Sequence, residues 1–188
     1  TFGPQARANF TVRYADAGLM TLNARYAPTS GDESGLVMTG SDSFISRPVG
    51  LCVYSDTPNS DCAAGDASCS TFVAAGDPFR LRVGGVAWEK DADDDLCSGN
   101  LRTPNYRQVG QPAQPAITLI PTLIAPGGGS PGALGVVGLD IAASDAGEKI
   151  VTDQRISEVG VFTVTATPPS SYLSIPGGAP GPGVGDSD

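Results

Sequence analysis

The sequence predicts an all-β chain of immunoglobulin-like antiparallel β-sandwich units in tandem, the first of them incomplete. Three observations carry that reading. Glycine and proline supply 25 and 16 of 188 residues, a density that breaks helices, and no segment holds apolar residues at helical spacing over three turns. Short β-branched and aromatic runs stand between those turns. Finally, one stretch occurs twice: Asp16-Ala17-Gly18-Leu19-Met20-Thr21-Leu22-Asn23-Ala24 returns as Glu158-Val159-Gly160-Val161-Phe162-Thr163-Val164-Thr165-Ala166. Self-similarity of this kind marks a structural unit used more than once. An acid and a glycine make a tight turn, and the positions after it alternate as a strand with one more apolar face does. The unit is a corner leading into a buried strand, as at the sixth strand of an immunoglobulin-like sandwich.

Taken in order, Phe10 to Tyr14 alternates as a strand, and the turn at Ala15 to Gly18 joins it to a strand over 19–26. Residues 28–40 are loop. Ser43 to Arg47 is a short strand halted by Pro48, where the second unit begins. Leu51 to Tyr54 is the next strand. Phe79 to Val83 continues through Val86-Ala87-Trp88 with a kink or bulge at Gly84-Gly85, and Trp88 belongs to the core. A long irregular connection, 89–114, precedes an apolar strand, Ile117 to Ile124, that Pro121 places at an edge or bulge. Gly127 to Gly132 is a wide turn, Leu134 to Ile141 a strand, and 155–157 with 161–166 close the sandwich. Residues 1–47 therefore read as the closing strands of one unit, 48–175 as a nearly complete sandwich, and 176–188 as a Gly/Pro linker. The chain opens on Thr1 and shows no signal peptide, which reads as a mature or excised piece.

Charge excludes several function classes. A formal net charge of -9 with two lysines offers no basic patch for nucleic acid or anionic lipid, and no run is apolar enough to span a membrane. The four cysteines, Cys52, Cys62, Cys69 and Cys97, have no histidine beside them anywhere in the chain and no C-x-x-C spacing, so two disulfides fit better than a thiolate metal site. Of three pairings, Cys62–Cys69 as a loop staple with Cys52–Cys97 between strands is favoured. Disulfides imply an oxidising compartment: periplasm, cell surface or secretion.

Catalytic residues are not expected. Acid-base chemistry at neutral pH usually recruits histidine, the carboxylates show no recognised pairing, and neither Lys90 nor Lys149 sits in a Ser-x-x-Lys motif. The strongest local signal for a ligand is Asp91, Asp93 and Asp95, whose i, i+2, i+4 spacing wraps a loop around a hard cation. It is not an EF-hand, since Leu96 and Arg102 stand where glycine and glutamate belong. Two readings stay open: calcium in another geometry, assisted by Glu89 and backbone carbonyls, or a solvated turn. No other cofactor is indicated. A sugar platform would draw on Tyr14, Tyr26, Tyr54 and Tyr106, although aromatics at strand positions are mostly core.

Five segments occur in an order that resembles the large MshQ-like proteins: Asn9 to Gly18, Phe44 to Pro48, Ala75 to Phe79, Thr103 to Tyr106 and Ile156 to Gly160. Those are bacterial surface proteins associated with type IV pili of the mannose-sensitive haemagglutinin kind. The resemblance implies export, an extended β-rich body and a role in a pilus-linked adhesin or its assembly; it brings no catalytic residues. The expectation is thus an extracellular, structural or adhesive module whose partners are other copies of itself, neighbouring domains or surface glycans. Alternatives are a filament subunit that shares strands and, third, a carbohydrate-binding or carbohydrate-active domain.

Overall fold

The computed structural model describes residues 9–106, 117–169, 171–172 and 175–176. The chain is nearly all β. Its strands are β1 (Gly18–Tyr26), β2 (Met38–Ser46), β3 (Gly50–Tyr54), β4 (Phe79–Val86), β5 (Ile117–Ala125), β6 (Gly138–Leu139), β7 (Glu148–Gln154), β8 (Val161–Thr167), β9 (Ser171–Tyr172) and β10 (Ile175–Pro176). A 3-10 turn, Ala143–Asp145, precedes β7. Every strand pair is antiparallel.

Two three-stranded sheets, ordered β3-β4-β7 and β6-β5-β8, enclose the core. On β4 the side chains alternate, with Phe79, Leu81 and Val83 inward and Arg80 and Arg82 outward, the period of two that buries one face of a strand. Ile117 and Leu119 of β5, Leu139 of β6, Val151 of β7 and Ile141 complete the interior. Each such side chain contributes about 1.5–3 kcal/mol by leaving water. Gln154 is buried among them and hydrogen-bonded at both ends of its amide: Oε1 accepts from the Val136 and Arg155 amides at 2.9 and 3.0 Å, and Nε2 donates to the Val136 carbonyl at 2.8 Å. Its side chain stitches the end of β7 to the chain leading into β6.

The remaining long strands, β1 and β2, pair with each other over nine residues, from Gly18–Ser46 to Tyr26–Met38. One face of this hairpin carries Met20, Leu22, Ala24 and Tyr26 of β1 opposite Phe44, Asp42, Gly40 and Met38. Leu22, Met38 and Phe44 are exposed. Among the described residues neither strand has a partner on its other edge.

Several expectations are corrected here. Residues 10–14 form no strand: they pair with no neighbour among the described residues, with 10–13 exposed and Tyr14 half-buried, and strand-forming residues without a partner stay irregular. Trp88 is not core but about half exposed, with the Arg13 guanidinium 5.3 Å from its ring centroid. The register shift lies between Phe79 and Leu81, where Thr152 and Asp153 of β7 stand against Arg80 so that the extra residue is on β7, and β4 is unbroken at Gly84-Gly85. Those glycines instead allow close packing: a Cβ on Gly84 would lie 2.6 Å from Arg102 Nη1, and one on Gly85 2.6 Å from Thr103 Oγ1 and the Tyr106 ring. The span Leu134 to Ile141 is paired only at Leu134 and over β6, while β7 (Glu148–Gln154), absent from the sequence reading, is an edge strand of the first sheet. Pro121 lies within β5 opposite Val164, beyond the two residues that β6 pairs with, so no ladder bond is lost on that side. The linker expected over 176–188 lies outside the described residues, apart from Pro176.

Candidate functional site

Each copy of the repeat leads from a glycine into a strand, but the surroundings of the two differ. Gly18 and Gly160 both open their strands at positive φ, 131° and 155°, and β1 and β8 follow. In the second copy the corner is solvent-facing, with Val159 at 72% exposure. In the first, Ala17 is 1% exposed and belongs to the sandwich core. Asp16 holds it there. Its Oδ1 accepts from the Ala17 amide at 2.7 Å and the Asn105 amide at 3.0 Å, and Oδ2 accepts from Asn105 Nδ2 at 2.8 Å. The Ser46 hydroxyl at the end of β2 donates to the Asp16 carbonyl at 2.7 Å. Behind Asn105, buried Thr103 and Tyr106 pack on Gly85, and the Thr103 carbonyl lies so close to Gly147 that a Cβ there would collide with it. Arg13 adds a bond to the Trp88 carbonyl at 3.3 Å.

This joint gathers segments far apart in sequence: three of the five that carry the resemblance meet at it, around Asp16, Ser46 and Asn105. The other two meet near the start of β4, where the Gly76 amide donates to the Ile156 carbonyl at 2.8 Å. The Arg155 guanidinium reaches the Gly76 carbonyl at 2.6 Å. These segments therefore lie where loops are tied together.

A second cluster covers the outer face of β3, β4 and β7. Arg82 donates to Asp56 Oδ2 at 2.9 and 3.0 Å and to Glu148 Oε2 at 3.0 Å; Arg102 reaches Glu148 Oε1 at 2.9 Å, and Arg80 reaches Asp56 at 3.5 Å. Tyr54 donates to Glu148 at 3.2 Å and lies beneath both guanidiniums, 5.9 Å from that of Arg82 and 5.2 Å from that of Arg102. Hydrogen bonds from Arg82, with the nearby charges of Arg80 and Arg82, hold the Asp56 carboxyl below the usual carboxylate range. This set clasps three strands, through Tyr54 of β3, Arg82 of β4 and Glu148 of β7. Both of its carboxylates, Asp56 and Glu148, are paired with two arginines each.

The cysteines are joined as Cys52–Cys97 and Cys62–Cys69, with Cα separations of 4.9 and 5.5 Å, and no cysteine is free. Cys52 on β3 is buried and anchors the acidic loop by its far end. Within that loop Asp91 and Asp95 are exposed, the Asp95 carboxylate accepts from the Cys97 amide at 3.1 Å, and the Asp93 side chain is turned inward. Among the described residues no three carboxylate, cysteine or histidine side chains are gathered as a metal site, so Asp91, Asp93 and Asp95 do not converge. Of the four tyrosines named for a sugar platform, Tyr106 is buried, Tyr54 is covered by arginines, and Tyr14 and Tyr26 are half-buried. Asn105, Asn100 and the Asp56–Arg82–Glu148 clasp escaped the sequence reading, for each acts with a partner tens of residues away or inside an irregular loop.

Fold and joint together define a tandem of antiparallel, immunoglobulin-like β units. Residues 1–41 match the first Ig-like domain of the DUF6701 family, and residues 47–151 match its second domain. The chain belongs to the DUF6701 family. No curated protein and no solved structure matches it. The second match ends inside β7, whereas β8 beyond it pairs along most of β5 and completes the sandwich.

Proposed function

We propose that this chain is a structural, adhesive module of an exported bacterial surface protein, of the MshQ-like, pilus-associated kind. The observation that supports it best is the joint. Asp16 and Asn105 bind the β1–β2 hairpin to the sandwich, and Ala17 is seated in the sandwich core, which suits a stiff array of β units bearing load or presenting a surface. The two disulfides fit an oxidising, extracellular setting. The arginine-paired carboxylates fit a scaffold and not a catalyst. No cofactor is needed for this role. The test is made on cells producing the parent protein: antibody raised against the chain labels intact cells, and deletion of the gene reduces surface attachment. Labelling only after permeabilisation, with attachment unchanged, overturns the reading.

A filament subunit is the second reading. Both edges of the two-stranded β1–β2 sheet, and the outer edge of β8, lack a strand partner among the described residues, and unpaired edges recruit strands. It predicts polymers in electron micrographs of the purified chain. A monomer at high concentration favours the first reading.

A further inference from the structure

The geometry points to a calcium site inside the loop of residues 89–100, with the carboxylates of Glu89 and Asp93 and the carboxamide oxygen of Asn100 as its side-chain ligands. The loop is closed at its base by the Ala87 amide donating to the Leu101 carbonyl at 2.8 Å and by Asn100 Nδ2 donating to the Ala87 carbonyl at 3.0 Å. Its far side is held to β3 by Cys52–Cys97. The frame is thus fixed without any ion.

Three oxygens of the loop's own residues are out of water and have no hydrogen-bond partner: Glu89 Oε2, Asp93 Oδ2 and Asn100 Oδ1. Asp93 is the decisive one. Its side chain is only 6% exposed, although Asp91, Ala92, Asp94 and Asp95 around it are all exposed. Its other oxygen is engaged, accepting from the Asp95 amide at 3.4 Å with Lys90 Nζ at 3.9 Å. The Glu89 carboxylate lies against Gly99, where a Cβ would stand 2.5 Å from Oε2 and 2.7 Å from Oε1. Glu89 and Asn100 are thereby neighbours across the loop. Because Asn100 spends its nitrogen on Ala87, its oxygen points away from that carbonyl.

A buried carboxylate oxygen without a donor is costly, and a hard cation removes that cost. Three oxygen donors with two negative charges, and neither sulfur nor imidazole, suit calcium, which fills its six to eight positions with carbonyls and water. Two carboxylates and an amide are a different donor set from the evenly spaced aspartates of the sequence, in which Asp91 and Asp95 face solvent.

The probe is calcium itself, added to the purified chain. Extracellular modules bind it at about 10⁻⁴–10⁻³ M, so 10 mM calcium raises the melting temperature by about 3–10 °C over chelator. Terbium bound in the same place luminesces on excitation of the adjacent Trp88. Glu89→Gln and Asp93→Asn abolish both signals; Asp91→Asn and Asp94→Asn keep them. If Asp93→Asn loses its native circular dichroism, Glu89→Gln alone decides. No shift and no luminescence at 10 mM, an equal shift from sodium chloride at matched ionic strength, or signals that survive Glu89→Gln would each overturn the site.

Discussion

Replacing Asp16 by alanine removes the clasp of the joint while leaving both β units intact in sequence. Three hydrogen bonds are lost, to the Ala17 amide, the Asn105 amide and Asn105 Nδ2. Bonds to a charged acceptor contribute about 1.5–3 kcal/mol each when buried. The two donors of Asn105 are exposed and regain water, so the loss is nearer ~1 kcal/mol apiece. With about 1.5–3 kcal/mol for the part-buried bond to the Ala17 amide, the total is about 3.5–5 kcal/mol, which for a chain of this size lowers the melting temperature by about 7–20 °C. Glu158 is the internal control: it occupies the same place in the repeat, but its corner is exposed, so Glu158→Ala stays within about 0.5 kcal/mol of wild type. Urea unfolding followed by circular dichroism measures both. Equal losses for the two variants, or no loss for Asp16→Ala, would refute the assignment of the first copy as a joint.

Other consequences are as specific. Removing Cys52–Cys97, which spans 45 residues, costs about 4 kcal/mol by chain entropy, against about 2.4 kcal/mol for Cys62–Cys69 with its separation of 7; paired cysteine-to-alanine variants in urea melts check the order. Because the folded pKa of Asp56 is depressed, its stabilisation is complete above the unfolded carboxylate range and is lost as pH falls through the lower folded value. Melting temperatures from pH 7 to pH 2 therefore fall less steeply in Asp56→Asn than in wild type, and parallel curves contradict this. Trp88, set on the surface, shows water-like fluorescence readily quenched by acrylamide; a blue-shifted, protected emission contradicts its placement.

The fold class was legible because turn residues and period-two runs are local signals, as at β3 and β4. The repeat disclosed β1 and β8 through the same physics, an acid-x-Gly corner before an alternating strand. What local pattern could not disclose was partnership. Phe10 to Tyr14 has the composition of a strand and no neighbour to pair with, whereas Lys149 to Asp153, with polar residues around Ile150 and Val151, becomes strand β7 because Arg82 and Leu81 of β4 lie opposite. Trp88 was assigned to the core by its type, yet the chain leaves β4 one residue earlier at the bond of Ala87 to Leu101. The acidic loop was found by spacing, but its inward oxygens are selected by the loop closure at Ala87 and Asn100, which depends on contacts outside the motif.

The central claim is that the hairpin and the sandwich form one body through the Asp16–Asn105 joint. Spin labels on Ser41→Cys in β2 and Asp153→Cys in β7 test it directly by pulsed electron resonance, since every native cysteine is in a disulfide and both positions are exposed. The account predicts one narrow distance distribution in the otherwise native chain, broadened when Asp16→Ala and Asn105→Ala are combined. A distribution already broad in the native chain, and unchanged by the pair of substitutions, would contradict it.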